Sequence, residues 1–188
     1  MTSIKIAINK LLDKVGYKIT KAESQGLVSS RAWINQKLED YSPLIKGNVL
    51  DVGCGNITWV RDAYGAQCTM TSFDQTKHDN VDVVGDILTL SSHVPINNYD
   101  VVLAIEMMEH VSNPFHAVDE IYKVLKPGGL FISITPFMHE IHGEDYGDYW
   151  RITRQGWRKI LSKFSAVEDI SWLGSEYSPR QYAIVAKK

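Results

Sequence analysis

The stretch Val49-Leu50-Asp51-Val52-Gly53-Cys54-Gly55-Asn56 constrains the fold of this chain more than any other. Its apolar start reads as a buried strand, and Gly53 and Gly55 allow a tight turn into a helix over 57–64, closed by Gly65. Lacking Cβ atoms, the two glycines let backbone amides face a ligand at close range, while Asp51 sets a carboxylate just beneath the turn. From Asn48 onward the pattern predicts strands at 49–52, 69–73, 81–84, 101–105, 130–134, 167–173 and 182–185. Between them, Asn113 and Pro114 open a helix whose stripe is Phe115, Val118, Ile121, Tyr122 and Leu125, stopped by Pro127-Gly128-Gly129. A helix over 153–164 turns Trp157, Ile160, Leu161 and Phe164 inward, and an earlier one starts near Ser30, carries Trp33, Ile34 and Leu38 and ends before Pro43. Alternation of this kind implies an α/β fold with a mostly parallel sheet, helices on both faces, and ligands at the carboxyl ends of the strands.

Two more acids fall at strand ends. Asp74 lies 23 residues after Asp51, close to the roughly 20-residue offset at which an acidic side chain meets a ribose diol. Asp86 ends the third strand. A third glycine of the dinucleotide fingerprint would fall at position 58, which is Thr58, so a diphosphate ligand is disfavoured. Three carboxylates around one turn would repel a diphosphate; they suit a nucleoside that carries positive charge and no phosphate. In the structural alternative, Asp74 and Asp86 cap turns.

These residues resemble the class I S-adenosylmethionine-dependent methyltransferase superfamily, type 11-like members included, over roughly 45–188. Leu50-Asp51-Val52-Gly53-Cys54-Gly55 resembles its first motif, Phe73-Asp74 its ribose-binding strand end and Gly85-Asp86-Ile87 its adenine-flanking segment. Tyr99-Asp100-Val101-Val102, Glu109-His110-Val111 and Val124-Leu125-Lys126-Pro127-Gly128-Gly129 resemble the fourth strand and the turn before the fifth. The resemblance implies a Rossmann-like, seven-stranded sheet whose last strand is antiparallel and inserted beside the fifth. It implies S-adenosylmethionine as cofactor, with Asp51, Gly53 and Gly55 at the methionine end, Asp74 at the ribose, Asp86 and Ile87 at the adenine edge, and Glu106 as a further cofactor-binding residue that could also help activate the acceptor.

Methyl transfer from a sulfonium is an in-line displacement, so the protein must align the nucleophile, exclude water and remove a proton. Glu106-Met107-Met108-Glu109-His110 follows the fourth strand, and its E-x-x-E-H spacing is similar to the metal-binding motif of ubiquinone-pathway and small-RNA 3′-end O-methyltransferases. In the metal-free alternative, these side chains line the cofactor pocket and hold loops, with Met107-Met108 as packing; no metal ligand is assigned. The RNA enzymes use a further histidine after strand five, where this chain reads Gly147-Asp148-Tyr149-Trp150-Arg151. The loop over 136–151 combines histidines, acids and aromatic residues and reads as an acceptor-binding lid. His139, His142 and His110 are the candidate bases. Asp148-Tyr149-Trp150-Arg151-Ile152-Thr153 resembles an element of bacterial glycan-pathway methyltransferases, which implies a saccharide-like acceptor; Thr153 and Arg151 equally suit a helix cap and an ion pair.

Length and charge narrow the partners. The chain has 188 residues, enough for one core, which we divide into a helical extension over 1–47 and a methyltransferase domain over 48–188. A formal charge of −2 supplies no large basic surface and argues against nucleic acid. Ile4, Ala7, Ile8, Leu11, Leu12 and Val15 form an amphipathic stripe suited to packing, partner docking or peripheral membrane contact. Lys5, Lys10, Asp13 and Lys14 interrupt that stretch, so no signal-peptide core is expected and a cytoplasmic location is. Cys54 and Cys68 are expected as unpaired, buried thiols at opposite ends of neighbouring strands. The function this predicts is S-adenosylmethionine-dependent O-methylation of a small or saccharide-like acceptor. The alternatives are a metal-dependent 2′-O-methyltransferase acting on RNA ends and a non-catalytic cofactor-binding module that recruits a partner.

Overall fold

The computed structural model describes residues 28–143 and 145–188. The expected helix over 4–15 lies outside the described residues. Seven strands form one sheet: β1 (Gly47–Val52), β2 (Cys68–Asp74), β3 (Val83–Val84), β4 (Tyr99–Ile105), β5 (Leu125–Pro136), β6 (Ala166–Ser175) and β7 (Ser178–Lys187). Their order is β3-β2-β1-β4-β5-β7-β6. The pairs from β3 through β5 are parallel. β7 runs antiparallel to both β5 and β6, so the last strand is inserted and reversed as the resemblance implied.

Among the described residues, four α-helices cover the sheet: α1 (Ser30–Tyr41), α2 (Trp59–Tyr64), α3 (Pro114–Val124) and α4 (Arg154–Ile160). Each of the long starts has a physical cause. Ser29 accepts from the Ala32 amide at 3.1 Å, Asn113 from His116 at 3.1 Å and Thr153 from Gly156 at 3.0 Å, each satisfying an amide the helix leaves open. On one face Val49, Val101, Leu103, Ile132, Ala183 and Val185 pack with Ile34 and Leu38 of α1 and Val60 of α2. On the other, Val102, Phe131 and Ile184 pack with α3 and α4, where Trp157 is 0% exposed. Each such fully buried side chain contributes about 1.5–3 kcal/mol relative to exposure.

Several expectations are corrected. The stripe of α3 is Ala117, Val118, Ile121 and Val124, while Phe115 is 51% exposed, because Pro114 at the first position places the i+3, i+4 face one residue away from Phe115. Leu125-Lys126-Pro127-Gly128-Gly129 does not simply stop a helix: β5 already begins at Leu125, paired with Tyr99, and its register shifts across the glycines. No α-helix joins β2 to β3 or β3 to β4 among the described residues; the second connection is the 3-10 segment Ile87–Ser92. β3 is shorter than predicted because the Asp82 carboxylate, not a strand carbonyl, accepts the Ser72 amide at 2.8 Å while pairing with Arg61. The cysteines are free, as expected, but half-buried. No described helix is long and apolar enough to cross a membrane.

Candidate active site

A cleft of about 790 Å³ opens at the carboxyl ends of β1, β2 and β4. Asp51, Gly53, Gly55, Asp74, Asp86, Ile87 and Glu106 all line it, so the structure brings every expected cofactor residue to one cavity. The Gly-x-Gly turn is left-handed at both glycines, with φ of +71° at Gly53 and +59° at Gly55. Asp74 reaches across from β2, and its carboxylate accepts from the Gly55 and Thr76 amides at 2.8 Å each. Asp86 accepts from Leu88 at 2.9 Å and caps the 3-10 segment. Both acids therefore brace turns while they line the cleft; the two readings made for them coincide in one geometry.

Burial sets the electrostatics. It pushes Asp51 up to about 7, with partial relief from Arg61. It pushes the Cys54 thiol up to about 12, which makes Cys54 a poor nucleophile. Glu106 stands at φ +53°, a strained conformation for a residue with a side chain. Burial raises it to about 7, Gln181 donates to one of its oxygens at 3.3 Å, and the other is buried with no partner among the described residues.

Gly53 tolerates no side chain. A Cβ there would sit 2.2 Å from Met107 Cγ, on a backbone that L-residues avoid. Gly53→Ala is expected to displace Met107 into the cleft, lowering cofactor affinity at least about tenfold and stability by roughly 1–3 kcal/mol. Titration calorimetry and thermal melts check both; an affinity unchanged in the folded variant contradicts the placement of the turn.

Beside the cleft, Glu109, His110 and His142 each offer one ligand atom within 4.8 Å of the others. Glu109 is 1% exposed, both its oxygens lack partners among the described residues, and burial followed by the charge of Glu106 pushes it up to about 8. Burial lowers His110. His139, also expected as a base, is exposed and outside this cluster, its ring edge-on to His142 at 5.1 Å. The matching position over 147–151 holds no histidine, yet His142, five residues before Gly147, reaches the place where one was sought. His142 was expected as a base but not as a partner of Glu109 and His110, because the loop doubles back at Gly143 and Gly147, both with positive φ. Arg31 was also missed. It lines the cleft from the start of α1, stacked 5.3 Å from the Trp59 ring, and is the one Lys or Arg side chain among the described lining residues. The signal was present in an arginine two residues past the Ser29 helix cap, but nothing in the spacing aimed it at the glycine turn.

The strand order, with its reversed and inserted last strand, is matched by known proteins. The chain belongs to the methyltransferase domain family, whose sequence model matches residues 29–174. Among its relatives, the ubiquinone biosynthesis O-methyltransferase of Vibrio cholerae is 32% identical over 110 residues, covering 51% of this chain and 44% of the relative. The demethylmenaquinone methyltransferase of Staphylococcus haemolyticus is 26% identical over 162 residues, covering 76% and 66%. The chain thus matches less than half the length of the first of these relatives. In fold, it is similar to a SAM-dependent methyltransferase of Archaeoglobus fulgidus, with TM-score 0.64 and 19% identity over 88% of this chain and 97% of the other. It is also similar to the 1,6-didemethyltoxoflavin-N1-methyltransferase of Burkholderia thailandensis, with TM-score 0.67 and 14% identity over 100% and 91%.

Proposed function

We propose that this enzyme transfers a methyl group from S-adenosylmethionine to a hydroxyl of a small or saccharide-like acceptor. The observation that carries this reading is the Glu109–His110–His142 cluster, whose His110 lines the cofactor cleft and offers a group that can take a proton as methyl transfer occurs. Arg31 answers the methionine carboxylate and Asp51 its ammonium, Asp74 accepts from the ribose diol, and Asp86 and Ile87 border the adenine. The acceptor enters under the loop over 136–151, where Tyr146 and Tyr149 line the cleft and Ile141 is 88% exposed at the rim. As the acceptor oxygen bonds to the methyl carbon, the carbon–sulfur bond breaks, the sulfonium becomes a neutral thioether, and the hydroxyl proton passes to an imidazole Nε2 of the cluster. The printed name of the Vibrio cholerae relative, an O-methyltransferase, supports oxygen as the methylated atom.

A second reading follows from Glu109. Two orphaned carboxylate oxygens beside two imidazoles fit a divalent cation held by Glu109, His110 and His142; such an ion, when bound, lowers the pKa of a hydroxyl it contacts. Formation of S-adenosylhomocysteine is expected with at least one member of a pooled set of phenols, hydroquinones and saccharides, read by a coupled assay. Turnover only with amine or carbon acceptors overturns O-methylation. A chelator that abolishes activity, restored by added cation, selects the second reading.

A further inference from the structure

Both imidazoles of the cluster present the same nitrogen to Glu109. His110 Nδ1 lies against the Gly147 carbonyl oxygen, and His142 Nδ1 lies 3.1 Å from the Glu140 carbonyl oxygen. A carbonyl can only accept, so each Nδ1 carries a hydrogen, and the two Nε2 atoms face Glu109 Oε1 at 3.6 and 4.0 Å. The acceptors that fix these tautomers belong to one loop, so whatever fixes the loop fixes the chemistry.

We propose that Asp148 is the positioning residue of this site, holding the loop in the one arrangement that turns both imidazoles toward Glu109; the proposal rests on the O-methyl-transfer reading. Its side chain is 2% exposed and each oxygen is engaged. Arg151 grips the carboxylate with both terminal nitrogens, Nη2 at 2.7 Å from Oδ2. The same Oδ2 accepts the His142 amide at 3.0 Å and lies 3.4 Å from His142 Nδ1. The same Nη2 of Arg151 also donates to the Glu140 carbonyl that orients His142, at 3.4 Å. The next two residues tie the loop to Glu109 itself, the Tyr149 and Trp150 amides donating to the Glu109 carbonyl at 2.8 and 3.1 Å. Trp150 Nε1 donates to the Val111 carbonyl at 2.8 Å, locking the far side of the 3-10 turn Met108–His110. The Asp-Tyr-Trp-Arg sequence therefore acts inward, on the orientation of three side chains, and Asp148 is not among the residues that line the cofactor cleft.

The test uses the full chain and reads ring nitrogens as well as turnover. In ¹⁵N-labelled wild type, long-range ¹H–¹⁵N spectra should show His110 and His142, assigned through His110→Gln and His142→Gln, as Nδ1–H tautomers. In Asp148→Asn, His142 should become a mixture of tautomers and kcat should fall about 10- to 100-fold, with affinity for S-adenosylhomocysteine unchanged. Arg151→Gln should move the same readouts in the same direction and carries the test should Asp148→Asn not fold. An unchanged His142 spectrum in either folded variant overturns the proposal, as does a loss of cofactor affinity equal to the loss of kcat. A wild type that methylates no hydroxyl would overturn the function reading alone; the tautomer spectra would still decide on Asp148.

Discussion

Asp74→Ala is expected to weaken S-adenosylhomocysteine binding by at least about 100-fold, since hydrogen bonds to a charged group contribute roughly 1.5–3 kcal/mol each and a ribose diol offers two. The carboxylate has a second task that makes the loss larger. Its oxygens accept from the Gly55 and Thr76 amides at 2.8 Å, so its removal frees the glycine turn against which the methionine end of the cofactor would lie. Asp74→Asn separates the two tasks. An amide keeps one acceptor oxygen but opposes the second donor with its own N–H groups, so its affinity should fall between wild type and Ala. Titration calorimetry at fixed ionic strength measures all three. Binding by Asp74→Ala at wild-type strength would remove Asp74 from the cofactor site, leaving it only the bracing of β2 against the turn.

What the sequence revealed follows from the range of the forces involved. Strand positions were legible because parallel strands covered on both faces read as unbroken apolar runs, and Val101-Val102-Leu103-Ala104 is buried throughout. The turn at Gly53 was legible because only residues without a Cβ fit there. The shortening of β3 was not, since it depends on one aspartate side chain replacing a strand carbonyl. Reversal of β7 left no mark on periodicity; strand direction is a property of connections, and only the resemblance implied it. The acids expected around the glycine turn were legible because each lies near the carboxyl end of a strand, and parallel topology brings those ends to one cleft. The chemical cluster was half legible: Glu109 and His110 adjoin in sequence, whereas His142 arrives through a loop folded by Asp148 and Arg151 over contacts of irregular spacing. Thr153 and Arg151 take the cap and the ion pair considered for them. Arg151 then does more than pair, since the carboxylate it holds also carries the His142 amide.

Glu109→Gln should move activity and stability in opposite directions. Loss of the carboxylate removes the group that both Nε2 atoms face, and the expected fall in kcat is about 10²- to 10⁴-fold, the usual contribution of positioned proton transfer. Stability follows from burial. Glu109 ionises near its ordinary 4.5 when unfolded but is held up to about 8 in the fold, so between those values the native state binds more protons than the unfolded chain. Stability must then decrease as pH rises through that window, because the slope of unfolding free energy with pH has the sign of protons bound unfolded minus protons bound native. Gln carries no such proton. In chelator-treated protein, the melting temperature of Glu109→Gln relative to wild type should therefore climb between pH 5 and pH 8, and level off above. Melts at several pH values measure it, with one buffer ion strength throughout. A difference that stays flat with pH would mean that Glu109 ionises normally in the fold; a variant both inactive and less stable at pH 8 would make the carboxylate a structural brace. A gain in stability coupled to a loss of turnover identifies a charge kept in a dry place for the reaction it serves.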